Sequence, residues 1–205
     1  LMTPDAITTV IFIGSIYFLT KKNLYLSFLL MAISLAFRPD MIVAAGLLGL
    51  TPAIDKKYKM PIFNSVLFLS IYFFISTSID HNGWWSHFYT SLVSTQSNLG
   101  TFNPDFDSSK YFEILLGNLN WVLNDINYIT WFATTLAILV VSLYLLIGKK
   151  HTWINIISFV LALAIIIKFL IFPKVDARVY LAILVPAIYV FSFNLFPNKE
   201  RIDST

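Results

Sequence analysis

The sequence predicts an all-α fold in a polytopic integral membrane protein, and three observations carry this prediction. Hydrophobic residues make up 58% of the 205 residues and charged residues only 12%, whereas a soluble domain keeps about a quarter of its residues charged. Apolar runs of helical length follow one another along the chain. Basic residues gather in the turns between alternate runs. The absence of cysteine excludes a disulfide framework and a thiolate metal site.

About seven apolar runs are candidate transmembrane helices, and together they predict a single transmembrane domain over residues 1–205. A helix needs about 20 apolar residues to cross the hydrocarbon core, and fewer where the bilayer thins. The second and third runs have about 14 residues each, which is short for a full crossing. In chain order the runs cover residues 5–20, 24–37, 41–54, 61–78, 128–148, 152–172 and 179–196.

The positions of the basic residues predict the orientation of these runs. If the chain crosses the membrane seven times from an outer N-terminus, nine of the 14 basic residues fall on one face, and the positive-inside rule makes that face cytoplasmic. This asymmetry explains the sequence pI of about 9.0 without a nucleic-acid partner. The nine are Lys21, Lys22, Lys56, Lys57, Lys59, Lys149, Lys150, Lys199 and Arg201.

The long segment 79–127 is predicted to be an outer loop that contains an amphipathic helix. Residues 82–91 are rich in the tryptophan and tyrosine that favour the membrane–water boundary. Further along, apolar residues recur at helical spacing with Glu113, Asn120 and Asn124 between them. This pattern predicts a helix lying in the membrane interface. Its apolar residues are Phe112, Leu115, Leu116, Leu119 and Val122.

Three groups of ionisable residues are predicted to lie on the outer face, where charges near the hydrocarbon usually face a cavity or pair with one another. The first is Arg38–Pro39–Asp40, where Pro39 lacks an N–H and disfavours a helical residue before it, so the chain should turn. The second is Asp80–His81, at the end of the fourth run. The third surrounds the ends of the last two runs and comprises Lys168, Lys174, Asp176, Arg178 and Tyr180.

Together these groups predict an outward-facing pocket for a phosphate-bearing lipid. Arginine binds phosphate oxygens bidentately, and lysine adds a point charge. The carboxylates are suited to act as a base or to bind a divalent metal ion. Simpler interpretations stay open: Arg38 and Asp40 as a paired polar turn, residues 174–178 as a juxtamembrane charge cluster, and Asp80 as a solvated helix end.

Two stretches resemble the polytopic glycosyltransferases of the GT-C superfamily, the relatives of protein O-mannosyltransferases and lipid A aminoarabinose transferase. "AISLAFRPDMIVAAG", over residues 32–46, is similar to the hairpin that these enzymes break with Arg-Pro-Asp/Glu. "VDARVYLAILVP", over residues 175–186, is similar to their acidic-arginine-tyrosine-leucine run that ends in proline. It departs from the commoner pattern, in which tyrosine directly follows arginine and the proline comes sooner.

The resemblance implies a glycosyltransferase that takes a sugar from a polyprenyl-phosphate donor on the outer face. In such enzymes the catalytic base is a carboxylate of the first outer loop, which would lie upstream of Leu1 if the chain is a fragment. Otherwise Asp40 or Asp80 would act as the base. Arg38, Lys174 and Arg178 would contact the substrate phosphate. Asp176 and Tyr180 would orient them; no metal ligand is assigned, although a divalent metal ion stays compatible as a cofactor.

Two other classes stay open. One is an O-antigen polymerase or ligase-like enzyme, which acts on undecaprenyl-diphosphate glycans. The other is a non-catalytic membrane scaffold or a transporter subunit, although a transporter would favour charges at the midplane and matching halves. The expected partners are membrane lipids and a polyprenyl-linked sugar. The abundance of Ile, Phe, Asn and Lys favours a bacterial inner membrane with a periplasmic active face.

Overall fold

The computed structural model describes residues 4–38, 41–79, 111–148, 152–171 and 177–195, and within these ranges it is all-helical with no strand, which confirms the all-α part of the prediction. A 3₁₀ helix over Thr51–Ala53 continues α3. The α-helices are α1 (Pro4–Thr20), α2 (Leu24–Phe37), α3 (Ile42–Leu50), α4 (Lys59–Ile79), α5 (Tyr111–Asn124), α6 (Ile126–Ile147), α7 (Trp153–Ile171) and α8 (Ala177–Leu195).

Helix boundaries follow from local sequence. Asn23 caps α2 by accepting a hydrogen bond from the Leu26 N–H (3.4 Å), and Asp125 caps α6 by accepting one from the Asn127 N–H (2.8 Å). Helix α2 ends at Phe37 because Arg38 precedes a proline and adopts an extended conformation (φ −144°, ψ 92°). The Met41 N–H then donates to the Arg38 carbonyl (3.0 Å), which closes the turn between α2 and α3.

Two of the described helices are long and apolar enough to cross a membrane: α6, with 22 residues, and residues Trp153–Leu170 of α7. Other apolar segments in the described ranges run for 10–17 residues. Helix α3 has nine residues and is therefore only about 14 Å long, against a hydrocarbon core of about 30 Å. By length and composition these two helices are candidate membrane spans, and the count of seven spans stays a prediction.

Helices α1 and α7 occupy the centre of the described part of the bundle. Helix α1 packs against α2 and α8, and α7 packs against α3, α6 and α8. Helix α4 lies on one flank, against α2 and α3, while α6 lies on the other, against α7 and α8, and also contacts α5. The core is therefore built mainly from α1, α2, α3, α7 and α8, and α4 and α6 each keep a broad apolar face outside it.

Three contacts bring the lysine-containing turns to one end of the bundle, which we call the lysine end. Two of them are made by aromatic side chains, and the third, between α3 and α4, is described below. The indole Nε1 of Trp153, at the start of α7, donates to the carbonyl of Leu19 near the end of α1 (2.7 Å). The rings of Tyr25 and Phe63 lie 5.9 Å apart and join the first two turns of α2 and α4. Lys21, Lys22, Lys56, Lys57 and Lys59 all lie at this end.

The two turns at the lysine end share one backbone motif. Lys22 (φ 59°) and Lys56 (φ 61°) both adopt the left-handed conformation that glycine usually supplies after a helix. In the first turn the Asn23 N–H donates to the Phe18 carbonyl (3.0 Å), and in the second the Lys57 N–H donates to the Pro52 carbonyl (3.1 Å). These are the long bonds of a Schellman cap, which satisfies helix carbonyls that would otherwise lack donors.

The third contact at the lysine end joins α3 to α4 through a glycine. A Cβ atom at Gly49 would overlap the side-chain amide of Asn64, so the glycine lets this amide lie directly on the α3 backbone. Asn64 is buried, and its Oδ1 has no hydrogen-bond partner among the described residues. Gly46, one turn earlier on the same helix, has open space where its Cβ would lie.

We expect Gly49→Ala to lower the free energy of unfolding by about 1–3 kcal/mol, because the added methyl must displace the buried Asn64 amide. Gly46→Ala is the matched control and should be neutral or stabilising by up to about 1 kcal/mol, since alanine favours the helix. The measurement is the thermal unfolding midpoint in detergent. Adding Asn64→Ala to Gly49→Ala should restore part of the loss; equal midpoints for both single variants would show that Asn64 moves aside freely.

Candidate functional site

The ring of Tyr180 is the centre of an aromatic cluster that joins α6, α7 and α8 at the end of the bundle opposite the lysine end. Tyr180 is almost fully buried and stacks on Trp131 of α6, with ring centroids 4.9 Å apart and planes inclined by 13°. Phe169 of α7 lies 6.2 Å from the same ring. Offset-stacked and tilted arrangements are those that aromatic pairs prefer, so the cluster fixes three helices against one another.

Lys168 is the basic residue of this cluster. It is fully buried, and its Nζ lies over the Tyr180 ring, 5.7 Å from the centroid, which is within the range of a cation–π contact. It also lies in the last turn of α7, where a positive group interacts favourably with the helix dipole. Burial of a lysine without solvent requires such compensation.

Trp131 supplies a second donor to the same region. The residue is 8% exposed, and its indole N–H finds no hydrogen-bond acceptor in the part of the chain that the structure describes. Its backbone carbonyl accepts from the Thr135 hydroxyl (2.9 Å), so the main chain at this position is satisfied while the side chain is not. Buried side-chain donors usually have partners, which makes this N–H a candidate contact for a ligand.

The local sequence of α6 explains why Trp131 faces the bundle. Its buried residues are Trp131, Thr135, Ile138 and Ser142, which recur at the spacing of one helix face. On α7, Phe169 belongs to the face that meets α6, because its ring lies 6.4 Å from that of Phe132. Two antiparallel helices with these faces place Trp131 beside the last turn of α7, where Lys168 lies.

Arg38 marks the second basic position at this end of the bundle. It follows the last residue of α2, is half-buried, and donates its backbone N–H to the Ser34 carbonyl (3.0 Å). Helix α3 begins beyond the turn and packs against α7. Arg38 and Lys168 are therefore both at the end opposite the lysine end, on helices that α3 connects.

Of the residues that were assigned a phosphate-binding, orienting or base role, Arg38 and Tyr180 have described side chains, as does Lys168 of the third predicted group. Arg178 lies in the first turn of α8, but its side chain is outside the described part. The proposed base residues Asp40 and Asp80, the phosphate contact Lys174 and the orienting residue Asp176 also lie outside the described ranges. Within those ranges no group of three His, Cys, Asp or Glu side chains could hold a metal ion.

Sequence reasoning did not identify Trp131 as part of the site. A tryptophan near the start of an apolar helix is usually an interface anchor, and only the packing of α6 against α8 reveals its contact with Tyr180. Lys168 gave a clearer signal, because an ionisable residue within an apolar run is costly and often functional. The described groups of the cluster are hydrogen-bond donors and aromatic rings, which can bind and orient an oxyanion.

We expect Tyr180→Leu to lower the free energy of unfolding by about 1–3 kcal/mol, because it removes the ring that Trp131 stacks on and that Lys168 covers. Tyr180→Phe keeps the ring and is the control, with a smaller loss. The measurements are the thermal midpoint and the near-ultraviolet circular dichroism of the tryptophans. If both variants lose the same stability, the ring contacts do not hold the helices together.

The resemblance to GT-C glycosyltransferases depends on the two short motifs around Arg38 and Tyr180. Comparison with protein-family models, with curated proteins and with solved structures found no match for this chain.

Proposed function

We propose that this chain is a polytopic membrane glycosyltransferase, with seven spans, that moves a sugar from a polyprenyl-phosphate donor to an acceptor on the outer face of a bacterial inner membrane. The observation that carries the proposal is the fully buried Lys168 beside Tyr180, at the same end of the bundle as the turn that begins at Arg38. Positively charged side chains near the ends of apolar helices can bind the phosphate of a lipid whose chain lies in the hydrocarbon.

Membrane insertion is supported by the surface of the flanking helix α6. Only 22% of its most apolar stretch is buried in the protein, and side chains such as Val140, Tyr144 and Ile147 are more than half exposed. A soluble protein rarely exposes so large a contiguous apolar surface. Lipid would cover this face, and the apolar face of α4 on the opposite flank would be covered in the same way.

The distribution of charge supports the same conclusion. In all the described α-helices, charged residues occur only in the first or last turn. The walls between the helix ends are therefore free of charge, as hydrocarbon requires. The gathering of five lysines at the lysine end supports a cytoplasmic assignment for that end and an outer assignment for the end with Arg38 and Lys168.

The proposed reaction divides its work between cations and a carboxylate. The acceptor hydroxyl oxygen forms a bond to the anomeric carbon of the sugar while the bond from that carbon to the phosphate oxygen breaks, and the phosphate takes the electron pair. Arg38, Lys174 and Arg178 stabilise the phosphate that leaves. Asp40 or Asp80 accepts the proton of the hydroxyl. Asp176 and Tyr180 hold the basic residues in place.

We expect Arg38→Ala and Arg178→Ala each to reduce sugar transfer about 10- to 100-fold, because each removes a charge-assisted contact to the leaving phosphate. The measurement is transfer from a polyprenyl-monophosphate sugar in membranes of cells that carry the change in the native gene. Lys57→Ala, an exposed lysine at the lysine end, is the control and should leave transfer unchanged.

The same assay separates the other classes. A scaffold would show wild-type transfer in both arginine variants at equal protein levels, and this result would overturn the proposal. A polymerase would instead shorten its lipid-linked product to single repeat units and would require a diphosphate donor.

A further inference from the structure

The indole N–H of Trp131 is a buried donor whose burial has a free-energy cost that the described protein groups do not offset. Trp131 is 8% exposed, and its Nε1 has no acceptor in the described ranges. A buried polar group without a partner costs about 1–3 kcal/mol, and more in a hydrocarbon environment. The indole nitrogen is a donor only, so any partner that restores this free energy must present an acceptor atom.

The depth of this donor matches the headgroup layer of a bilayer. Trp131 is the sixth residue of α6, about 8 Å along the helix axis from its start, and Lys168 lies about 5 Å from the end of α7. The polar layer on each side of a bilayer is about 5–8 Å thick. If the helix ends reach the outer surface, both donors lie at the level of lipid phosphates.

The neighbouring groups favour an anionic acceptor over a neutral one. Tyr180 stacks on Trp131 and also has the Lys168 Nζ over its ring, so the indole donor and the lysine belong to one closely packed cluster. In a water-poor environment the field of a lysine is screened little, and an anionic oxygen gains more from it than a neutral oxygen does. Stacking on Tyr180 also fixes the plane of the indole, which pre-organises its N–H for one direction.

We propose that Trp131 and Lys168 form a subsite for a phosphoryl oxygen of a lipid, with the indole Nε1 donating the hydrogen bond and Lys168 supplying positive charge. The oxygen could belong to an isoprenoid phosphate or to the headgroup of a bilayer phospholipid, since the two share this chemistry. The first source rests on the proposed function and names additional residues that hold its donor lipid; the second does not depend on it.

The test is a calorimetric titration of the purified full chain in a maltoside detergent, which contains no phosphate. The probes are farnesyl monophosphate, phosphatidylglycerol and farnesol. Farnesol has the same isoprenoid chain as farnesyl monophosphate but no phosphate. Trp131→Phe keeps the aromatic stack and removes only the N–H, and it should weaken farnesyl-phosphate binding about tenfold. Trp121→Phe is the matched control: Trp121 lies on α5, is 50% exposed, and should leave the affinity unchanged.

Lys168→Met is the second variant and should weaken phosphate binding at least as much as Trp131→Phe, while farnesol binding stays weak in all proteins. Circular dichroism and gel filtration check that each variant is folded. Unchanged affinity in a folded Trp131→Phe protein would overturn the subsite and leave water as the partner of this N–H.

The probes also separate the two sources of phosphate. Preference for farnesyl phosphate over phosphatidylglycerol, with loss in Trp131→Phe, supports an isoprenoid ligand. Equal affinity for both, with the same loss, supports the subsite with a bilayer phospholipid as its ligand. If Trp131→Phe weakens binding while Arg38→Ala leaves sugar transfer intact in membranes, the subsite stands and the proposed glycosyl transfer fails.

Discussion

The constraint on which the described architecture depends is that apolar surroundings do not solvate charge. Every charged residue of the described helices lies in a first or last turn, and the interior of each helix consists of apolar and small polar residues. Several buried hydroxyl groups bond back to their own helices, as Ser34 does to the Met31 carbonyl (2.6 Å). Large apolar side chains then face outward on α4 and α6, which a chain in water would avoid. Within the described helices, ionic chemistry is consequently confined to the helix ends.

At one of those ends a lysine, a tyrosine and a tryptophan from three helices form a single stack. Tyr180 makes the contacts that hold it together, because Trp131 packs on its ring and Lys168 lies over it. The same stack that secures α6 and α8 to α7 also fixes the plane of the indole donor. Stability and recognition are therefore coupled in this cluster, and a change to the ring should affect both.

Local signals made most of the fold predictable. Asn23, Pro39 and Asp125 act within a few residues, so the start of α2, its end and the start of α6 could be derived from the sequence. The site was less predictable, because its geometry arises from helices distant in sequence. Nothing around Trp131 indicates that its ring meets Tyr180, 49 residues later. The short apolar run of α3 predicted a short helix, but it did not predict that the helix continues into a 3₁₀ turn.

The Schellman caps at Lys22 and Lys56 have a consequence for how the chain inserts. Both lysines occupy left-handed positions that glycine would fill with less strain, by about 1 kcal/mol each. Glycine there would relax the backbone. Under the proposed orientation it would also remove two of the positive charges that favour a cytosolic location for these turns. At these two residues the backbone conformation favours glycine, whereas the orientation of the chain during insertion favours lysine. A chain with glycine at both positions would therefore be more stable once folded, but would insert in the wrong orientation more often during biosynthesis.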